Sequence, residues 1–196
     1  MKNRILVGID YGSKIAGTTV ISILQDGKIS IQQSEKKGDA DAFLYNILST
    51  IPPAIIGFDA PLSLPGIYRG LPDCNDYFYR AGDKILKAMS PMFLGGLTAR
   101  AMQLKAKLEL LGHEVYEIYP AKIQEKIKLD SAIYKKDNTY LADAEMIVLK
   151  NLNVNQKIEV KNWHQLDSLL ALLGAQRISE NKAEIFGNET EGQIFI

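Results

Sequence analysis

The chain has 196 residues, of which 46% are hydrophobic and 23% charged, the composition of a globular domain with a substantial core. Lysine plus arginine and aspartate plus glutamate both number 23, so no net charge draws the protein to nucleic acid or to a membrane surface. The single cysteine and the two histidines exclude an internal disulfide, a cysteine zinc cage and a histidine-rich metal site. No apolar stretch reaches the ~18 residues of a membrane span, and no signal-peptide pattern opens the chain, so we expect no membrane partner and a cytoplasmic location.

The first third of the chain predicts an antiparallel meander, then a helix and a parallel strand. Asp26-Gly27 is a short-hairpin signal between two segments rich in β-branched side chains. A helical crossover over residues 39–50 makes the apolar run 54–58 parallel to the first strand. The three strands of the meander are predicted at residues 4–9, 16–24 and 29–33.

An irregular region and a second set of elements follow. Prolines and glycines punctuate residues 61–96, and a connection of this length is usually functional. A clear 3.6-residue period predicts a helix over 97–111, which Gly112 terminates. The later predicted elements are a strand at 113–120, helices at 121–129, 139–152 and 163–178, and two short strands around Gly187-Asn188.

This order predicts an α/β fold built on a mixed five-stranded sheet, with three antiparallel strands followed by two parallel ones and helices on both faces. We expect one domain over residues 1–196, with an inserted loop and helix region at about 61–112 after the fourth strand.

Acidic residues end the strands that this topology places side by side. Asp10 follows the first apolar run, Asp59 follows the run at 54–58, and Glu117 lies at the end of the next strand. The carboxyl ends of adjacent parallel strands share the crevice in which open α/β sheets bind ligands. Asp167 lies on the late helix, where Ala171 and Gly174 leave room for a close approach to the sheet. We therefore expect up to four carboxylates to converge.

Clustered carboxylates repel one another unless one takes a proton or a cation balances them. Mg²⁺ and Mn²⁺ prefer oxygen ligands, and a pair of such ions assists phosphodiester cleavage. The pattern therefore predicts a metal site formed by Asp10, Asp59 and Asp167, with Glu117 as a fourth ligand or base. Asp167 is expected near a helix N-terminus, where the helix dipole stabilises its ionised form.

Four segments carry a resemblance to a known family. "GIDYGSKIAG", "GFDAPLSLP", "EIYPA" and "HQLDSLLALLGA" are similar, in this order, to the domain-of-unknown-function 429 family, whose members are predicted nucleases of the RNase H-like, RuvC-like superfamily. The resemblance covers almost the whole chain. It implies an RNase H-like fold, a Mg²⁺- or Mn²⁺-dependent hydrolysis of phosphodiester bonds and a nucleic-acid partner. Asp10, Asp59, Glu117 and Asp167 match the acidic positions proposed for metal binding in that family.

Each acidic residue also has a structural interpretation. Asp10 could cap a turn into Gly12, and Asp59 could be a strand-end acid in solvent. Glu117 could point outward from an amphipathic edge strand, and Asp167 could be a first-turn acid favoured by the helix dipole.

Further candidates surround the carboxylates. Gly12 permits a close backbone approach and Ser13 adds a hydroxyl, while His164 is either a polar helix-start residue or a proton shuttle. Arg69 lies in the tyrosine- and arginine-rich stretch 68–80, a composition that can stack bases and hold phosphates but can also be a self-packed loop. Arg100 and Lys122 lie near helix starts and either contact a phosphate or face solvent.

Three functions fit these features. The first is a metal-dependent nuclease, and the second is a non-catalytic nucleic-acid-binding module of the same fold. The third is an ATP-binding phosphotransferase, because such proteins also begin with an Asp-x-Gly hairpin. A second phosphate-binding hairpin is not found in the sequence, which disfavours the third.

Overall fold

In a computed structural model, which describes residues 4–130 and 134–196, a mixed seven-stranded sheet is surrounded by helices. The strands lie in the order β3-β2-β1-β4-β5-β7-β6. They are β1 (Ile5–Asp10), β2 (Val20–Gln25), β3 (Lys28–Gln33), β4 (Ala54–Asp59), β5 (Glu114–Ile118), β6 (Ile185–Asn188) and β7 (Gly192–Phe195).

The antiparallel meander and the parallel neighbour strand are confirmed. β1 pairs antiparallel with β2, and β2 pairs antiparallel with β3. Asp26 and Gly27 both have positive φ, 50° and 75°, as the tight turn between β2 and β3 requires. β1 and β4 are parallel, and their register pairs Asp10 with Asp59. Two aspartates therefore lie side by side at the end of the sheet.

The prediction of five strands is wrong, because the tail adds two more to the sheet. β7 pairs in parallel with β5 through Glu117 and Ile118, and β6 pairs antiparallel with β7. The tail strands were recognisable in the sequence, but each has only four residues. Such short segments carry no pattern that identifies the strand they pair with.

The helices are close to the predicted positions, with one exception. The region 61–96, predicted to be irregular, contains a 3₁₀ turn at Gly66–Arg69 and two short helices. These pieces are too short to show a helical period in the sequence. The helices are α1 (Ala40–Leu48), α2 (Ala81–Leu86), α3 (Pro91–Leu94), α4 (Gly96–Leu110), α5 (Pro120–Lys126), α6 (Leu141–Asn151) and α7 (Trp163–Ser179).

The sheet buries a hydrophobic cluster on each face. Ile9 and Phe58 belong to the cluster that includes residues of α1 and α4. Leu6 and Ile55 belong to the other cluster, which is centred on α7 and also includes residues of α5 and α6. Because side chains alternate along a strand, Asp10 and Asp59 lie on the α7 side. No helix in the described ranges is long and apolar enough to cross a membrane.

Candidate metal centre

Three aspartates from distant parts of the chain meet at the end of the sheet. Asp10 and Asp59 are paired in register as the last residues of β1 and β4, and Asp167 reaches them from α7. One carboxylate oxygen from each lies within 4.8 Å of the other two. Asp10 and Asp167 are buried and Asp59 is partly buried. Three of the four carboxylates that the sequence led us to expect here therefore converge.

Two glycines bring Asp167 this close by letting α7 lie directly on the sheet. A Cβ at Gly8 would meet the Leu172 nitrogen and the Ser168 oxygen at 2.1 Å, and one at Gly57 would meet the Ala171 oxygen at 2.3 Å. These neighbours are backbone atoms, which cannot turn aside as a flexible side chain can. Each glycine lies two residues before an aspartate, so the repeated Gly-x-Asp ending of β1 and β4 is a sequence signal that we missed.

Gly174, the small residue predicted to let α7 approach the sheet, is also closely packed. A Cβ at Gly174 would approach side-chain atoms of Ile118 and Ile123 within 2.9 Å. Small residues on the helix and on the sheet therefore both shorten the distance between the two elements.

Burial and the neighbouring charges make Asp59 and Asp167 reluctant to ionise. Burial, followed by the charges of Asp10 and Asp167, raises the pKa of Asp59 well above its ordinary value. Burial also raises the pKa of Asp167 to about 6, although Lys135 opposes the shift. Asp167 is the fifth residue of α7 rather than a first-turn residue, so the expected stabilisation by the helix dipole is outweighed by burial. A cation at this position would relieve the repulsion.

Three neighbouring side chains contact the cluster. The Lys135 ammonium lies 2.5 Å from Asp167 Oδ2, and the Tyr134 hydroxyl donates to Asp167 Oδ1. His164 Nδ1 lies 2.8 Å from Asp10 Oδ2, and this hydrogen bond raises the pKa of His164. The Lys135 side chain is half exposed, so its charge is shared with solvent. One lysine does not balance three carboxylates.

Glu117 lies outside the three-aspartate group. The β4–β5 register places Glu117 beside Phe58, and strand alternation then directs it to the opposite face of the sheet from Asp59. There Arg80 donates to both carboxylate oxygens at 2.6 and 2.7 Å, and the Leu62 backbone nitrogen donates at 2.8 Å. Glu117 is thus part of a buried ion-pair network rather than of the three-aspartate cluster.

Arg80 is the centre of that network, whereas the sequence indicated it only as one of the arginines of the tyrosine- and arginine-rich stretch 68–80. Its guanidinium also donates to both oxygens of Asp83, at 2.6 and 3.0 Å, and to the Ser63 hydroxyl at 2.8 Å. Arg80 and Asp83 are each only 1% exposed. Because Asp83 follows Arg80 by three residues, the pair also closes the N-terminus of α2. An arginine in an irregular stretch gives no sign in the sequence that it is buried.

Of the predicted substrate-binding residues, Gly12 and Ser13 lie on the loop that follows β1, and Arg100 lies on α4. Arg100 forms an ion pair with Asp41 at 2.7 Å, and its guanidinium carbon lies 4.9 Å from the centre of the Tyr11 ring. It also donates to the Gly12 carbonyl at 3.3 Å, while the Gly12 nitrogen donates to Thr19 Oγ1. Ser13 is exposed. Arg100 is therefore engaged in holding the loop that follows β1.

The other two predicted substrate-binding residues, Arg69 and Lys122, form contacts within the protein. Arg69 is exposed and donates to the Glu191 carbonyl at 2.7 Å. Lys122 forms an ion pair at 2.8 Å with Glu125, one turn along α5. Neither side chain contacts the three aspartates.

The site was predicted without Lys135 and Tyr134, which lie in the connection between α5 and α6. Their sequence context, "YKKD", looks like a solvated charged loop. Neither the charges nor the spacing of apolar residues in this segment indicates which of its two lysines contacts Asp167. Only the position of the connection in space brings Lys135 to Asp167.

The donor set of this centre fits a hard divalent cation. Three carboxylates with oxygens within 4.8 Å of one another are the ligands that such ions prefer, and they could hold a metal ion. No protein-family model and no curated protein matches the chain, so its function is argued from the geometry of this site.

Proposed function

We propose that the protein is a divalent-metal-dependent nuclease that hydrolyses phosphodiester bonds of DNA or RNA. In this proposal Asp10, Asp59 and Asp167 hold Mg²⁺ or Mn²⁺. The observation that carries the proposal is the convergence of three carboxylates on one buried point, with two of them reluctant to ionise unless a cation is bound.

The sheet topology supports a more specific fold assignment within this proposal. The strand order β3-β2-β1-β4-β5, antiparallel for three strands and parallel for the next two, is the layout expected of an RNase H-like domain. The strands β7 and β6 extend that sheet at the β5 edge. On this view the chain is an RNase H-like nuclease of the family that its sequence resembles.

The residues around the aspartates suit phosphodiester chemistry. A divalent metal, when bound, supplies Lewis-acid stabilisation of the negative charge on the phosphate oxygens. The His164 ring directs its Nδ1 proton at Asp10 and so fixes the orientation of that carboxylate. Lys135 places a positive charge beside Asp167, where it can pair with a phosphate oxygen once a metal balances the aspartate.

The second candidate function is a non-catalytic nucleic-acid-binding module. The ion pair between Lys135 and Asp167 favours it, because a lysine can replace a metal as the partner of a buried carboxylate. In this candidate the ammonium stays at Asp167 and the three aspartates are relics of a metal site.

A cleavage assay separates the two candidates. The protein is incubated with branched, hybrid and single-stranded substrates in the presence of Mn²⁺ or Mg²⁺, beside Asp10→Asn. Metal-dependent cleavage that Asp10→Asn abolishes supports the nuclease. Binding of these substrates without cleavage, unaffected by Asp10→Asn, supports the module, and metal-dependent consumption of ATP would support the phosphotransferase instead.

A further inference from the structure

A cavity of about 350 Å³ adjoins the three-aspartate cluster through Asp59. Lys135, which contacts Asp167, also lines it. The rest of the wall includes apolar side chains from the α2–α4 region and from the end of β5. The apolar and aromatic residues of the lining include Ala88, Met89, Leu94, Leu97 and Tyr119.

The lining of the cavity includes both charged and apolar residues. Two further acids line it, Asp83 and Glu117, but both are bonded to the buried Arg80. The remaining charged residues of the lining are Asp59, one of the proposed metal ligands, and Lys135, whose ammonium contacts Asp167. With a metal at the aspartates, this part of the lining would favour an anionic group, while Met89 and Leu94 offer contacts to an apolar group.

A nucleotide has this arrangement of groups. We propose that the cavity binds the unstacked base adjacent to the phosphate held at the aspartates, so that the substrate is single-stranded DNA or RNA. This inference rests on the proposed nuclease function and names its substrate class. The volume is within the range of about 300–1,000 Å³ that is usual for small-ligand pockets, and the Tyr119 ring and the Met89 thioether offer surfaces for a base.

Two properties of the molecule disfavour an intact duplex. A base in a duplex must leave its stack and its partner before it can enter a pocket, whereas an unpaired base is already free to enter. Duplex binding also depends largely on neutralising phosphates with basic side chains, and this chain has equal numbers of basic and acidic residues. A single strand held through its bases needs fewer such contacts.

The test uses two matched variants on the same segment. Met89 and Ile85 are four residues apart and are 61% and 62% exposed, but only Met89 lines the cavity. We expect Met89→Gln to weaken the binding of a short labelled single strand about tenfold, and Ile85→Gln to leave it within about twofold. Binding is measured by fluorescence anisotropy with the full chain in Ca²⁺, against a hairpin duplex of the same sequence.

The outcomes separate this inference from the proposed function. Preference for the single strand, lost in Met89→Gln while calorimetric Mn²⁺ binding is unchanged, supports the cavity as the base site. Equal affinity for single strand and duplex, equal effects of the two variants, or no binding of any oligonucleotide overturns the inference and leaves the metal site standing. A wild-type protein that binds no Mn²⁺ contradicts the proposed function and, with it, the inference.

Discussion

At the residue scale, the negative charges of the three aspartates repel one another in the absence of a metal. Asp59 is flanked by Asp10 and Asp167, and burial keeps water from screening their charges. Natural proteins accept such an arrangement where it serves binding or catalysis. The cluster therefore lowers the stability of the metal-free protein and raises its affinity for a cation.

The first prediction concerns removal of one of these charges. Asp59→Asn keeps the shape of the side chain, so the metal-free protein should be more stable, by about 2–4 °C in Tm for each kcal/mol of repulsion relieved. The same variant should lose the stabilisation by Mn²⁺, which is about 2.7 kcal/mol for the wild type when free metal is about 100-fold above Kd. Thermal unfolding with and without Mn²⁺ measures both effects.

Asp26→Asn is the matched control for Asp59→Asn. Asp26 is exposed in the β2–β3 turn, and asparagine tolerates its positive φ. This variant should keep the full response to Mn²⁺. An Asp59→Asn protein that still gains the full stabilisation would contradict the metal site.

The second prediction is a pH dependence of metal-free stability. The pKa of Asp167 rises from its ordinary value of 3.8 to about 6 in the folded state, mainly through burial, so the folded state binds the proton more tightly than the unfolded state does. The contribution of Asp167 to stability should therefore fall as the pH rises from about 4 to about 6, by at most about 3 kcal/mol. The raised pKa of His164 acts in the same direction, because its contribution is present below its unfolded pKa and is lost above its folded pKa.

Urea unfolding across this pH range measures the effect. Asp167→Asn has no carboxylate to titrate at this position and should flatten the profile. Saturating Mn²⁺ should also reduce the fall in the upper part of this range, because the metal replaces the proton as the stabilising partner. A wild-type profile that does not fall relative to that of Asp167→Asn between pH 4 and 6 would contradict the raised pKa.

At the element scale, the distance between Asp167 and the other two aspartates depends on how closely α7 lies on β1 and β4. Helix and strand backbones come together at Gly8 and Gly57, and this contact carries Asp167 to the ends of the strands. If a Cβ at Gly8 or Gly57 pushed α7 away from the sheet, Asp167 would move away from Asp10 and Asp59.

The third prediction follows from that contact. Gly8→Ala places a Cβ 2.1 Å from backbone atoms of α7, so it should destabilise the protein by at least about 2 kcal/mol and weaken Mn²⁺ binding. Gly96→Ala is the control, because a Cβ at the start of α4 meets open space. Urea unfolding and calorimetric titration should show Gly96→Ala to be neutral or slightly stabilising. A Gly8→Ala protein of wild-type stability would mean that α7 is not held at this distance.

At the scale of the whole molecule, the Arg80 network joins the 61–96 region to the sheet and to the tail. Arg80 bonds Glu117 on β5 and Asp83 on α2, and Glu191 beside β7 accepts from the backbone nitrogens of Gly66 and Ala81. Removing one partner of a buried ion pair is destabilising, because the other charge is left buried without a partner. The network is therefore expected to hold the region that walls the cavity.

The fourth prediction compares a buried and an exposed arginine–glutamate pair. Arg80→Ala leaves two buried carboxylates unpaired and should cost about 3–5 kcal/mol of stability. Arg4→Ala breaks the exposed pair with Glu114 and should cost less than about 1 kcal/mol. Denaturant unfolding of both variants makes the comparison, and similar losses would contradict the buried network.

Glu117→Gln tests the role of Glu117 more directly. It removes the charge that Arg80 binds, so stability should fall, but Mn²⁺ affinity should stay within about twofold of the wild type because Glu117 is not among the three clustered carboxylates. Loss of Mn²⁺ binding in a folded Glu117→Gln protein would instead indicate that Glu117 contributes to the metal site.

The sequence was informative where local pattern and chain order determine position. Apolar runs that end in Asp10 and Asp59, joined by a helical crossover, are enough to predict two parallel strands with adjacent acidic ends. The face of Glu117 could not be predicted, because it depends on the β4–β5 register and a slip of one residue reverses every side chain. Lys135 contacts Asp167, and Arg80 contacts Glu117. Both residues lie in connections between helices and strands, and the path of such a connection cannot be predicted from its residue pattern.

The central claim, that Asp10, Asp59 and Asp167 form a metal site, is tested most directly by an anomalous difference map from a crystal soaked in Mn²⁺. We predict a peak bound by oxygens of all three aspartates at about 2.1 Å, with the Lys135 ammonium displaced from Asp167. A map without a peak at this position, in which Lys135 still contacts Asp167, would contradict the claim.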